Sequence, residues 1–355
     1  LNETAAGAIL GVAKGRLMRR FLTALSVALA LVVPAIAQAF TAGNIVVYQD
    51  GTGGFIKDSG VPITALRTTL TGAQDYFVRT DGLDSNTGLT NSASAPNGAF
   101  LTVQHCLNVI AYTLDTAGFN VKCRVQGGTY TANIIVPGSF VGYNGSGFEQ
   151  VMVLGENGTV TLTSPNTGAA IFATKSGAPW AFENIVVTNP AANGVEIEAD
   201  DYAFLALKTV TFGATGSGGI KLQSLLNSQV LLISSTFQLV GNSGVAFYMV
   251  NTGKITAQPS TVFNVSGAQT YATAVVFVDP TSQFFNQLTS FTGSTPTGPA
   301  YSLAAGGYIY DPTLIAGSVA GTAGGLTGTV TVRKGGGSTD CGLVYVNGIL
   351  TSTTC

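Results

Sequence analysis

The sequence predicts an all-β protein, a right-handed parallel β-helix wound from coils of about 25 residues. Three observations carry that expectation. Segments of one pattern begin at Gly168, Asn193 and Gly218, and again at Ser243, Thr273 and Gly298. Within each, apolar and polar residues alternate as in a strand with one buried face, and the 3.6-residue period of a helical repeat is missing. Only 9% of the 355 residues are charged while 46 are glycine, whereas a globular domain carries about a quarter charged residues. Such a surface is solvated by hydroxyls and amides rather than by ion pairs.

Each segment holds a short alternating run, a turn, a second run and a third run containing phenylalanine, so three strands per coil are expected. Ala170, Val195, Ile220, Val245, Val275 and Ala300 fall in one column. Phe172, Ile197, Leu222, Phe247 and Phe277 fall in another. Residues two apart on a strand face the same way, so both columns are expected to point inward.

In chain order, residues 1–39 read as an upstream extension and an export leader. Two arginines after Met18 precede the apolar run from Phe21 to Val33, and Ala37-Gln38-Ala39 supplies small residues for cleavage after Ala39. The run is too short to favour a membrane helix. Residues 40–75 are expected to form a linker or attachment segment, and residues 76–316 the β-helix. Near 100–115, Phe100, Val103, Leu107, Ile110 and Leu114 share one helical face. A helix there suits a cap, because a solenoid end exposes unpaired strand edges and core. Residues 317–355 begin glycine-rich and end in a small β unit, with Asn347-Gly348 as a hairpin signal.

The four cysteines suggest two local disulfides, Cys106 with Cys123 and Cys341 with Cys355, each closing roughly 15 residues and worth ~3 kcal/mol. No CxxC pair is present and the chain has one histidine, so neither a metal site nor a cofactor is called for. A net charge of −2 without clustered Lys and Arg argues against nucleic acid. The 46% hydrophobic content argues against disorder.

The stretch DYFVRTDGLDSNTGLTNSASAPNGAFLTVQHCLNVI, followed by VKCRVQGGTYTANIIV, resembles the opening of pectate-lyase-like parallel β-helix proteins, a group that includes bacteriophage tail spikes and tail fibres. The matching residues are Tyr76 to Val78, Asp84 to Gly88, Phe100 to Gln104 and Gly128 to Tyr130. DGTGGFIKDSGVPITAL, from Asp50, is similar to the linker before such domains in tail fibres. The resemblance covers roughly residues 44 to 140 and specifies fold better than function. It implies a carbohydrate-binding or carbohydrate-active protein, a homotrimer of parallel helices, and attachment through the N-terminal segment. Tail proteins need no export leader, so a secreted protein and a virion-surface protein both stay open.

The candidate chemistry centres on Glu196, Glu198, Asp200 and Asp201. With Val195 and Ile197 inward, Glu196 and Glu198 are expected outward, roughly 7 Å apart, within the range used by inverting glycosidases. Lys221 and Gln223 are expected beside them. The alternative is a solvated turn with a cross-coil ion pair. The Gly-His-Gly segment of polygalacturonase-like helices is missing, and His105 falls in the expected cap helix. Asp81, Asp84 and Asn86 offer oxygens for calcium, yet Asp-Ser-Asn-x-x-Gly is first a turn signature. Trp180, Tyr202, Tyr248 and Tyr271 are the aromatic candidates for stacking against sugars. Ile171, Ala173, Ala246, Tyr248, Val276, Val278, Tyr301 and Leu303 are expected to form an outward apolar stripe, the candidate trimer contact. The predicted function is polysaccharide binding; hydrolysis or lysis of a polysaccharide, and a purely structural fibre, are the alternatives.

Overall fold

The computed structural model describes residues 44–48, 56–62, 67–310 with breaks at 95, 146, 288–289, 300 and 304–306, and the strands at 328–333, 340–346 and 349–354. The chain divides into two compact units, Leu1–Thr68 and Thr69–Cys355. In the first, strands Asn44–Tyr48 and Ile56–Pro62 pair antiparallel. The expected leader lies outside the described residues.

The second unit contains a parallel β-solenoid. Seven strands stack in one sheet, in the order Ile134–Val136, Ile171–Thr174, Val195–Asp200, Ile220–Ser224, Ser243–Met249, Tyr271–Val278 and Tyr301–Leu303. The remaining two walls belong to a larger sheet whose early members, Val121–Thr131, Val151–Thr163, Trp180–Asn189 and Phe204–Thr215, each turn a corner midway. That corner uses left-handed backbone at Asn157, Asn184 and Thr209, with φ of 53°, 57° and 50°. Later coils split the same path into two strands, as in Gln229–Leu232 and Thr236–Val240. Three strands per coil are therefore present, as the repeat predicts.

Parallel pairing passes register from coil to coil. Val195 lies beside Ile220, which lies beside Val245. Ile197, Leu222 and Phe247 align in the same way. The interior is a continuous file of apolar side chains, with Phe212, Phe237, Phe247, Phe263 and Phe284 fully buried. Their rings stack, tilt or meet edge-on at centroid separations of 4.9 to 6.3 Å.

The expected columns fail at two coils, and Val195 and Ile220, expected inward, are only half-buried. Ile171, not Phe172, lies beside Ile197, and Val276, not Phe277, lies beside Phe247. Ile171, Ala173, Val276, Val278 and Tyr301 are consequently interior residues, and the predicted outward stripe does not exist as such. Ala246 is buried as well; Tyr248 alone remains outward, and the Leu303 side chain is outside the described residues. Both errors share one cause. Corner loops take up a residue without a sequence signal, and Ile171-Phe172 and Val276-Phe277 are apolar pairs, so alternation cannot tell which member faces in.

The predicted cap helix spans Val103–Thr113. Thr102 is its N-cap, accepting from the His105 N–H, and Val103, Cys106, Leu107, Ile110 and Ala111 are buried. Asp84 accepts from the Leu101 and Thr102 amides and from the Thr102 hydroxyl. Asp81 pairs with Arg79 at 2.7 Å, and the Asn86 amide donates to the Ala99 carbonyl. The Asp-Ser-Asn turn thus organises the helix entry. His105 packs edge-on against Phe100. Cys106 and Cys123 form a disulfide, with Cα atoms 6.2 Å apart. The Cys341–Cys355 expectation involves Cys355, which lies outside the described residues. Near the C-terminus, Gly328–Arg333, Asp340–Val346 and Ile349–Thr354 form an antiparallel sheet, one strand more than the predicted hairpin.

Candidate functional site

The acidic stretch lies on the strand Val195–Asp200, between Ile171–Thr174 and Ile220–Ser224. Alternation breaks at its start, where Glu196 and Ile197 both turn inward and are fully buried. Glu196 therefore does not share a face with Glu198, which corrects the expected pair. The Lys221 ammonium position is also fully buried, with Nζ 3.9 Å from Glu196 Oε1, so Lys221 is not an outward residue either. Burial drives the Glu196 carboxyl well above its ordinary range, with Lys221 and the Gly213 backbone pulling the other way. Burial likewise pushes Lys221 down, opposed by Glu196.

Glu198 and Asp200 are the carboxyls that share the outer face, both half-buried. One residue, Ala199, lies between them, and the two-residue step along the strand is roughly 7 Å. Burial raises the Glu198 carboxyl, and the neighbouring Asp200 charge raises it further. Asp200 accepts from the Asp201 N–H at 2.8 Å. Asp201 sits in the following turn with φ of 46° and pairs with Lys175 at 3.2 Å. A cross-coil ion pair at the surface is made by Asp201 and Lys175, not by Lys221, which faces Glu196 in the interior.

The aromatic candidates divide in two. Trp180 and Tyr271 are fully buried. The Trp180 indole donates to the Gly138 carbonyl and packs edge-on against Phe140; the Tyr271 hydroxyl donates to Gln269 Oε1 at 2.9 Å. Rings with no accessible face cannot stack on a sugar, so both leave the candidate list. Tyr202 is exposed at 65%, in left-handed backbone at the turn. Tyr248 is half-buried on the outer face of the seven-stranded sheet, stacked on Phe277.

Register reveals a row that sequence reasoning missed. Ile135, Phe172, Glu198, Gln223, Tyr248, Phe277 and Ser302 succeed one another on that outer face. Ile135 is 54% exposed and the others are half-buried. The row reads as aromatic, carboxyl, amide, aromatic, aromatic along the solenoid axis, one side chain per coil. The signal for it was present in the repeats, but the two register offsets placed Phe172 and Phe277 inside. A second row, on the third wall, holds Thr129, Thr161, Val186, Thr211, Gln238, Asn264 and Thr292 and carries no charge.

No cluster of three or more His, Cys, Asp or Glu suited to a metal occurs among the described residues. A cleft of about 200 Å³ beside the cap helix is lined by Thr80, Thr102, Gln104, Thr129, Tyr130 and Thr131 among others. Tyr130 there donates to the Gln126 carbonyl, and burial raises its phenol to about 12.

A pectin methylesterase from carrot is similar to this chain at 12% identity, covering 67% of this chain and 90% of its own, with a TM-score of 0.28. A likeness that slight carries no argument, and the parallel solenoid stands on the strand registers. No family model matches the chain, and no curated protein shows significant similarity to it.

Proposed function

We infer that this protein binds an extended surface polysaccharide along the outer face of the seven-stranded sheet, as a spike- or fibre-like β-solenoid. One observation carries the reading: the row Phe172, Glu198, Gln223, Tyr248, Phe277, half-exposed and spaced one coil apart. Five coils at about 4.8 Å span roughly 20 Å, the reach of several linked sugars. Aromatic faces stack on the apolar faces of sugar rings, while a carboxyl and an amide between them receive and donate hydroxyl hydrogen bonds. The rigid sheet presents them without ordering cost.

The tail-spike and tail-fibre resemblance of residues 44 to 140 supports the same reading. It adds a homotrimer, attachment through the N-terminal segment, and a place on the virion surface or, given the leader-like 18–39 stretch, outside the secreting cell. The test is retention of purified protein by immobilised capsular polysaccharide and exopolysaccharide. Specific retention that free polysaccharide competes away is expected. Absence of retention on every surface glycan of the host would leave a structural fibre.

A second reading is favoured by the Glu198–Asp200 pair. A half-buried carboxyl with a raised pKa suits a general acid, and a carboxylate about 7 Å away suits the base of an inverting hydrolase. New reducing ends released by the wild type and lost in Glu198→Gln and Asp200→Asn would establish hydrolysis. Retention without release is the expected result.

A further inference from the structure

Glu196 and Lys221 occupy the same register position on adjacent strands, between the aligned pairs Val195–Ile220 and Ile197–Leu222. Both side chains are fully buried. The corresponding residues on the coils before and after are Ala170, Ala246 and Val275, all buried in the main core. Tyr271 is buried close to Glu196, and its hydroxyl donates to Gln269. Lys221 Nζ donates to the carbonyls of Gly213 at 2.6 Å and Val240 at 2.8 Å. The Gly213 backbone N–H is the one donor near the Glu196 carboxyl besides Lys221, and neither makes a well-formed hydrogen bond with it.

An ionised carboxylate without a well-formed hydrogen bond in a dry core is disfavoured against its neutral form. The lower-energy arrangement is a proton moved from lysine to glutamate, leaving a neutral amine beside a neutral carboxylic acid. Burial shifts both groups in that direction. A neutral amine has two N–H bonds, and two carbonyls take them. Its lone pair is left for the remaining neighbour, the Glu196 carboxyl at 3.9 Å. Fixed proximity of this kind replaces a bimolecular encounter.

We propose that Lys221 and Glu196 are a self-modification site, condensing into an intramolecular amide that crosslinks two adjacent coils. The amine nitrogen adds to Cδ of the protonated carboxyl and the C–N bond forms. A proton from the nitrogen passes to the carboxyl hydroxyl, the C–O bond breaks, and one water leaves. No oxidant, reductant or activated co-reactant enters the balance. The product is neutral, removes the unpartnered carboxyl from the core, and ties neighbouring coils covalently at a point where the backbone hydrogen bonds alone hold register.

Trypsin tests this directly, because it cuts after a lysine only when the side-chain amine is free. The full-length folded protein is incubated at neutral pH, then denatured, reduced and digested. The expected product is a branched species joining peptide 176–208 to peptide 209–254, uncut at Lys221 and lighter than their sum by one water. Recovery of peptides 209–221 and 222–254 with an unmodified peptide 176–208 overturns the proposal. In Lys221→Met the branched species is expected to vanish while the circular dichroism of the β-solenoid is kept; its persistence there would also overturn the assignment.

Discussion

Tyr248 and Phe277 stack on the outside of the coil with ring centroids 4.8 Å apart and planes 21° from parallel. Parallel register sets the two residues side by side, and the stack fixes both rings as a flat platform. Replacing either ring with alanine removes half of that platform. Tyr248→Ala and Phe277→Ala are each expected to weaken polysaccharide retention about tenfold, ~1.4 kcal/mol. Loss of the stack itself should cost stability by only about 1 kcal/mol. Affinity electrophoresis and thermal melts of the same samples separate the two effects, and unchanged mobility in both variants would move the binding site elsewhere.

Glu198 makes a pH prediction. Its carboxyl is raised by burial and by Asp200, so the folded state holds its proton more tightly than the unfolded chain does. Its stabilising share is complete below the unfolded value of about 4.3 and disappears as pH climbs through the folded value. Glu198→Gln, which keeps the shape and removes the titration, is expected to melt above the wild type at neutral pH and level with it near pH 4. Melts across that window check the sign; a variant less stable at neutral pH would mean the carboxylate is welcomed where it sits.

Cys106 and Cys123, both fully buried, join the cap helix to the strand Val121–Thr131. Their loop is short, and its closure restricts the unfolded chain by about 3 kcal/mol. The double variant Cys106→Ala, Cys123→Ala is expected to lose roughly 2–4 kcal/mol in denaturant unfolding. Amide exchange in 103–113 should rise before that of the later coils; uniform acceleration throughout would show that the cap and the coils unfold as one.

Gly155 sits where two coils touch. A Cβ there would stand 2.0 Å from the carbonyl oxygen of Asn184, which is backbone and cannot swing aside. The Asn184 side chain simultaneously donates to the Gly155 carbonyl at 2.7 Å. Gly155→Ala is expected to cost about 3 kcal/mol. Gly147, whose Cβ would meet nothing within 4 Å, is the matched control and should change stability by about 0.5 kcal/mol or less. Equal melting of the two variants would contradict the coil spacing described above.

The solenoid, its cap helix and the Cys106–Cys123 bridge were legible because each follows from a local rule: alternation, helical spacing, cysteine proximity. Register was legible only where the chain supplies a polar marker. Val195-Glu196-Ile197 and Ile220-Lys221-Leu222 aligned correctly, since charged residues punctuate the pattern. Apolar pairs at 171–172 and 276–277 gave no such mark, and the outer row that includes Phe172 and Phe277 was hidden with them. The punctuation also misled. Charge at Glu196 and Lys221 argued for solvent, and only their mutual burial shows that the two were placed together inside. Trp180 and Tyr271 illustrate the converse limit, because an aromatic ring with one polar atom fits a core carbonyl or amide as well as it fits a sugar.

The left-handed corners at Asn157, Asn184 and Thr209 recur coil after coil, and each coil hydrogen-bonds chiefly to the one before and the one after. Molecular length is therefore a quantity that can be changed in whole steps. Duplicating or excising one complete turn lengthens or shortens the rod by a single strand spacing while every other turn keeps its neighbours, so reach from an anchoring surface can be adjusted in evolution without redesigning the interior.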